Sequence, residues 1–180
     1  KFFDAGTLNI TTTVVTDSLI ISATNATIHK YDITITKYDN QRILVTEVFG
    51  DESDNIIHTD SFKVSAQSHL RAEIESTNDA YNCGTLNTTE ITSVESDTTF
   101  TATEATIRTF NITIIQSDHQ TIHITVNGVD HASSFTCNAG LEYKITVIPD
   151  TGYIAGTILD ISDSGVISDN MVIKATPAHM

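Results

Sequence analysis

The chain has 180 residues, of which 39% are hydrophobic and 18% charged, so it has enough apolar residues to fold around a core. Its formal net charge of −14, with only nine Lys and Arg, argues against electrostatic binding to a nucleic-acid backbone or an anionic membrane surface. No apolar stretch reaches the roughly 18 residues of a membrane span, and the many Ile, Val and Thr residues favour an all-β protein.

The first segment, residues 1–29, contains two phrases that return later in the chain. "FFDAGT" (2–7) aligns with "GYIAGT" (152–157), and "DSLIISATNA" (17–26) aligns with "DNMVIKATPA" (169–178). A third version, "CGTLNTT" (83–89), lies between them. We interpret residues 1–29 as the second half of a repeated β unit.

From residue 30 onwards, apolar and polar residues alternate, which predicts short strands with one buried and one exposed face. The alternating apolar residues of 30–106 are Tyr31, Ile33, Ile35, Ile43, Val45, Phe62, Val64, Leu70, Ala72 and Ile74. Turn signals such as "YDN" (38–40) separate these runs. A turn of helix near 66–72 is the only helical segment that the pattern allows.

Residues 107–180 repeat this pattern at an offset of about 79 residues, which falls to about 73 after the acidic insertion "DESDN" (51–55). The matching apolar residues are Phe110, Ile112, Ile114, Ile122, Ile124, Phe135, Cys137, Tyr143, Ile145 and Val147, and Gln120 matches Gln41. We therefore predict tandem small antiparallel β-sandwich modules, Ig-like or β-grasp-like, of about 75 residues. The boundaries are a half unit at 1–29 and full units at 30–106 and 107–180.

The junctions "NATIHKY" (25–31) and "EATIRTF" (104–110) contain no Gly or Pro. Flexible linkers are rich in such residues, so we predict continuous strands at the junctions and a stiff rod. The half unit at 1–29 would leave strand edges open. Either the chain is a fragment of a longer array whose upstream repeat supplies the missing half, or strands from a neighbouring copy complete it.

Two phrases carry a resemblance to a known group of proteins: "YKITVIPDTGY" (143–153) and the closing "IKATPA" (173–178). They resemble the tandem β modules of bacterial surface proteins, the divergent internalin-type B repeats, and similar repeats in phage structural proteins. The resemblance implies an extracellular stalk, spacer or adhesin on a bacterial surface or virion. It supplies no catalytic residue and no cofactor.

Candidate sites are few. Asp51, Glu52 and Asp54 form an acidic loop that is a weak calcium candidate, because it lacks the glycine of a hard-cation loop. Tyr38 and Tyr81 are the loop aromatics that a glycan could stack on. Cys137 shares the inward register of Val64 and is interpreted as a small core residue.

The sequence thus favours a non-enzymatic structural repeat protein, a stalk, fibre or filament subunit. The alternative is an adhesin or a module that binds a host receptor or glycan through its loop tips. No phosphate loop, nucleophile elbow or paired-carboxylate motif favours an enzyme.

Overall fold

A computed structural model describes residues 2–9, 20–50 and 52–180. It has eighteen strands in these ranges: β1 Phe3–Asp4, β2 Thr27–Ile28, β3 Lys30–Ile35, β4 Gln41–Val48, β5 Ile56–His58, β6 Phe62–Ser65, β7 His69–Ser76, β8 Tyr81–Asn82, β9 Glu90–Ile91, β10 Thr98–Phe100, β11 Thr106–Ile107, β12 Thr109–Ile114, β13 Gln120–Val126, β14 Val129–His131, β15 Phe135–Asn138, β16 Glu142–Pro149, β17 Ser164–Val166 and β18 Met171–Ile173. One 3₁₀ turn, Glu52–Asp54, lies between β4 and β5. The predicted all-β class is confirmed.

The chain divides into two compact units. Unit 1 contains residues 1–77 and 83–104, and unit 2 contains residues 78–82 and 105–180. The short segment 78–82 belongs to unit 2 because β8 pairs antiparallel with β11. Residues 1–29 are grouped with unit 1, where β1 pairs antiparallel with β2.

Unit 1 has a three-stranded sheet in the order β10-β3-β6 and a four-stranded sheet in the order β5-β4-β7-β9. Both sheets send residues into one core. Its buried members are Ile33, Ile35, Ile43, Val45, Val64, Leu70, Ala72, Val94 and Phe100. Burial of these apolar side chains away from water is the main favourable term in the stability of the unit.

Unit 2 has the sheet orders β15-β12-β18 and β14-β13-β16-β17, so each sheet has the same order as its counterpart in unit 1. Its buried core residues are Phe110, Ile112, Ile114, Ile122, Ile124, Val126, Ala139, Ile145, Ile167 and Ile173. β13 and β14 meet at the predicted "NG" turn, where Asn127 and Gly128 both have positive φ, 48° and 79°. This is the backbone that a two-residue hairpin loop requires.

The structure differs from the sequence expectation in three places. The sheets are not wholly antiparallel, because β10 runs parallel to β3 and β18 runs parallel to β12. The long chain between the partners in each pair provides the crossover that parallel pairing needs. The turn of helix allowed near 66–72 is wrong, since Gln67, with φ 67°, forms a turn that leads into β7.

The third difference lies in the junction segments, where the strands are interrupted rather than continuous. In unit 1, the His29 N–H donates to Phe2 C=O at 2.7 Å, while its C=O accepts from Ala66 N–H at 2.8 Å. In unit 2, Arg108 bonds Ala80 and Ala139 in the same way, at 2.8 and 2.9 Å. The interruption arises because the chain changes its pairing partner at this one residue.

Candidate functional site

The repeated Gly-Thr phrase forms the same local structure three times, which we call the Gly–Thr joint. The pairs that form it are Gly6 with Thr24, Gly84 with Thr103, and Gly156 with Thr176. A Cβ atom on any of the three glycines would overlap the carbonyl oxygen of its threonine. The residue after each glycine, Thr7, Thr85 or Thr157, donates its N–H to the Oγ1 of the same threonine at 2.8–2.9 Å. The phrase recurs because close backbone approach requires glycine and the side-chain acceptor requires threonine.

A buried glutamine completes two of the three joints. In unit 1, Gln41 donates from Nε2 to Thr103 C=O and accepts the Gly84 N–H at Oε1, both at 2.7 Å. In unit 2, Gln120 makes the same two bonds, at 2.7 Å, to Thr176 C=O and Gly156 N–H. These are the only buried polar side chains among the residues whose burial is described, and each has its carboxamide paired at both ends. We call this pairing the glutamine clamp.

The first joint has no glutamine clamp among the described residues. The Thr24 N–H donates to Thr7 C=O at 2.9 Å, as at the other joints, so the local backbone is the same. Residues 1–29 contain no glutamine in the sequence. Among the described residues, the Gly6 N–H and Thr24 C=O therefore have no glutamine clamp like that of the other two joints.

Tyr38 lies half-buried at the wall of a depression of about 330 Å³ in unit 1. Its hydroxyl accepts the Ala102 N–H at 3.0 Å, so the ring is held by the fold. At the rim, Lys37 Nζ lies 2.6 Å from a carboxylate oxygen of Asp60, and both side chains are exposed. This hydrogen bond from Lys37 lowers the pKa of the Asp60 carboxyl below its ordinary value. An aromatic ring beside polar groups is the arrangement sought at a small-molecule site.

The other predicted site residues are not brought to this depression. Tyr81 lies in β8 of unit 2 and is half-buried opposite Ile107. Asp51 lies outside the described residues. Glu52 and Asp54 bound the 3₁₀ turn, and Asp54 is exposed. Over residues 2–9, 20–50 and 52–180, no cluster of three His, Cys, Asp or Glu side chains is arranged to hold a metal ion.

The two cysteines are free thiols and half-buried. Cys137 pairs opposite Phe110 in β12 and packs against the unit 2 core. Burial raises the pKa of its thiol, so the unreactive thiol form is favoured.

The imidazole of His58 is a titratable group that is partly buried against an aromatic ring. Its ring stacks on Phe62 with centroids 3.6 Å apart, and its buried Nε2 has no hydrogen-bond partner. Glu47 Oε2 lies 4.0 Å away, too far for a hydrogen bond. Burial lowers the pKa of His58, and the charge of Glu47 opposes that shift only in part. The structure therefore favours the neutral imidazole.

We expect the free energy of unfolding to fall on acidification because of His58. A lowered folded-state pKa means that the unfolded chain binds the proton more tightly, so this contribution is complete above the ordinary pKa and is lost as the pH falls through the folded-state pKa. His58→Phe keeps the stacked ring and removes the titration. In denaturant melts at about pH 8 and about pH 5, the variant should lose less stability than the wild type. Equal losses would contradict the prediction.

No protein-family model matches the chain, and no match to it is found among curated proteins. Within the described part of the chain, no helix is long and apolar enough to cross a membrane.

Proposed function

We propose that this chain is a non-enzymatic structural repeat protein, a spacer, stalk or filament subunit of a bacterial surface or a virion. In this proposal, 30–106 and 107–180 are tandem β-sandwich modules of about 75 residues that stack into a stiff rod, and 1–29 is the second half of a preceding module. The chain needs no cofactor for this role. The resemblance to surface and phage repeat modules points the same way.

The observation that carries the proposal is the Gly–Thr joint. Its three copies have the same hydrogen bonds, and two have a glutamine clamp reached from a strand of the first half of a unit. Local features that recur with their supporting contacts are typical of an array built from one unit.

The first joint, which lacks a glutamine clamp among the described residues, supports a chemical requirement on the partner that the proposal invokes. The segment that completes residues 1–29 must present a carboxamide to Gly6 N–H and Thr24 C=O, as Gln41 does to Gly84 and Thr103. A preceding repeat or a neighbouring copy that contributes such a strand would meet this requirement. Adding strands to an open sheet edge is a common mode of assembly.

A fusion tests this requirement directly. Tyr153 aligns with Phe3, so residue 152 is the natural point of fusion. A duplicate of residues 107–152 is therefore joined to the N-terminal side of Phe3. In this fusion the duplicated Gln120 should reach the first joint. We expect hydrogen exchange of the Gly6 amide to slow by about tenfold or more relative to the parent chain. The control is the same fusion with Gln→Met at that duplicated position only. If the Gly6 amide exchanges equally fast in the parent and in both fusions, the half-unit interpretation is wrong.

Light scattering on the parent chain separates the two sources of the missing half. A concentration-dependent oligomer in which the Gly6 amide is protected supports completion by a neighbouring copy. A monomer with an unprotected Gly6 amide supports completion by a preceding repeat. A monomer with a protected Gly6 amide would mean that residues 1–29 need no added strands. Completion by a neighbouring copy and completion by a preceding repeat would then both be wrong.

A second candidate function is an adhesin or a receptor- or glycan-binding module. The observation that favours it is the depression beside Tyr38, with Lys37 and Asp60 at its rim. Tyr81 and the acidic loop with Asp51, Glu52 and Asp54, the weak calcium candidates, remain predicted contacts of lower specificity. Screening soluble glycans and receptor ectodomains against the wild type and Tyr38→Ala tests this alternative. Binding that is independent of Tyr38 would place it elsewhere on the surface.

A further inference from the structure

Unit 2 fills a gap at the edge of β13 with one of its own side chains. β14 pairs with β13 only from Ile124 to Val126, so Ile122 lies beyond the end of that pairing. Gln116 supplies the missing partner. Its Oε1 accepts the Ile122 N–H at 2.6 Å, and its Nε2 donates to Ile122 C=O at 2.8 Å and to Ala132 C=O at 2.8 Å. A primary carboxamide thus takes the place of a strand residue.

Unit 1 has the same gap without the side chain that would fill it. β5 pairs with β4 only from Val45 to Glu47, so Ile43 occupies the place of Ile122. At the position of Gln116 the chain has Lys37, whose ammonium group instead bonds Asp60 at the exposed rim. Unit 1 therefore lacks the carboxamide that fills this gap in unit 2.

The strand register shows which way the Ile43 backbone groups point. Thr77 N–H donates to Asn40 C=O at 3.0 Å, so the bonds between β4 and β7 fall on the even-numbered residues of β4. The N–H and C=O of Ile43 consequently face the opposite edge, toward Thr59 and Asp60. Within the described part of the chain, no backbone group outside the strand ladders bonds them.

Ile43 and Thr59 both line the depression of about 330 Å³ beside Tyr38, and because the Ile43 side chain is buried in the core, we infer that its backbone faces the depression. Thr59 stands at the position of Ala132, whose carbonyl is the third partner of Gln116 in unit 2. The volume is sufficient for a carboxamide and the methylene groups that carry it. The ion pair of Lys37 and Asp60 lies across the rim with both side chains more than 70% exposed, so it opposes a ligand only weakly.

We propose that this depression binds a primary carboxamide from another molecule, the side chain of a Gln or Asn in a peptide. A primary carboxamide has an N–H on the same side as its C=O, so it can bond the N–H and C=O of a single residue. A trans secondary amide has these groups on opposite sides and cannot make both bonds. The proposal goes beyond the structural role and does not depend on it, so its failure would leave that role untouched.

The site is tested by nuclear magnetic resonance on the full chain labelled with ¹⁵N. Two or three neutral hydrogen bonds support only weak binding, so the probes are titrated through the roughly millimolar range and above. The probes are propionamide and the tripeptide Gly-Gln-Gly. Their matched controls are N-methylpropionamide, a secondary amide, and Gly-Glu-Gly, which carries a carboxylate. We expect saturable shifts of the Ile43 amide with both probes and none with either control.

Two variants test whether the chemical-shift changes arise from binding at this depression. Lys37→Gln gives unit 1 the side chain that unit 2 already has, so the Ile43 amide should move to lower field without ligand and lose its response to the probes. Gln116→Ala empties the gap in unit 2, so the Ile122 amide should gain a response. Absence of a saturable shift at Ile43, an equal response to the secondary amide, or a response that persists in Lys37→Gln would each overturn the proposal. Lys37→Gln alters an exposed residue, so this arm does not depend on whether Gln116→Ala folds.

Discussion

Gln41→Met is expected to lower the free energy of unfolding of unit 1 by about 2–4 kcal/mol. Methionine has nearly the size of glutamine and fills the same buried space, so the loss reports hydrogen bonding rather than a cavity. The substitution leaves Gly84 N–H and Thr103 C=O without their partner, and each backbone group left unpaired in the interior costs about 1–3 kcal/mol. Denaturant melts followed by circular dichroism measure the change. A loss below about 0.5 kcal/mol would mean that water replaces the glutamine clamp without cost.

A second substitution at the same position separates the two ends of the clamp. Gln41→Glu keeps the acceptor for Gly84 N–H, but an ionised carboxylate has no donor for Thr103 C=O. Protonation restores that donor, so the folded state favours the neutral acid and the new carboxyl gains a raised pKa. This contribution is present at low pH and is lost as the pH rises through the raised pKa. The gap in stability between wild type and variant should therefore be wider at about pH 7 than at about pH 4.

The strand pattern was predictable because burial in a half-exposed sheet has a period of two. Ile33 and Ile35 in β3, and Ile112 and Ile114 in β12, point into their cores as the alternation predicts. The parallel pairing of β3 with β10 was not predictable in the same way. It joins residues that are far apart in sequence, and alternation is the same for parallel and antiparallel neighbours.

The glutamine clamp leaves a signal in the sequence, although the repeat alone does not reveal its chemistry. Gln41 and Gln120 stand in the inward phase of their strands, where the other buried residues are apolar. A polar residue in that phase predicts a buried group with a specific partner. The identity of the partner depends on the fold, because Thr103 lies 62 residues from Gln41.

The depression beside Tyr38 was beyond prediction for a related reason. Lys37 aligns with Gln116 in the sequence. Whether a side chain at this position can bond the strand edge depends on where β14 stops pairing with β13 and where β5 stops pairing with β4. Strand ends are set by tertiary pairing, and local patterns place them poorly. The sequence singled out Tyr38, which lines this depression, but it gave no sign of the Ile43 backbone groups on which the proposed carboxamide site depends.

Gly84→Ala should destabilise unit 1 by about 3 kcal/mol, because the added Cβ would overlap the carbonyl oxygen of Thr103 and one of the two backbone segments must move. Gly50→Ala is the matched control in the same unit, since nothing lies within 4 Å of its added Cβ, and it should change stability by less than about 0.5 kcal/mol. The displaced Gly84 N–H would also move away from Gln41, so Gly84→Ala and Gln41→Met act on one joint. Their combined loss should be smaller than the sum of the two single losses. Additive losses would show that the close approach and the glutamine clamp stabilise the joint independently, and the single-joint account of the Gly-Thr repeat would then be wrong.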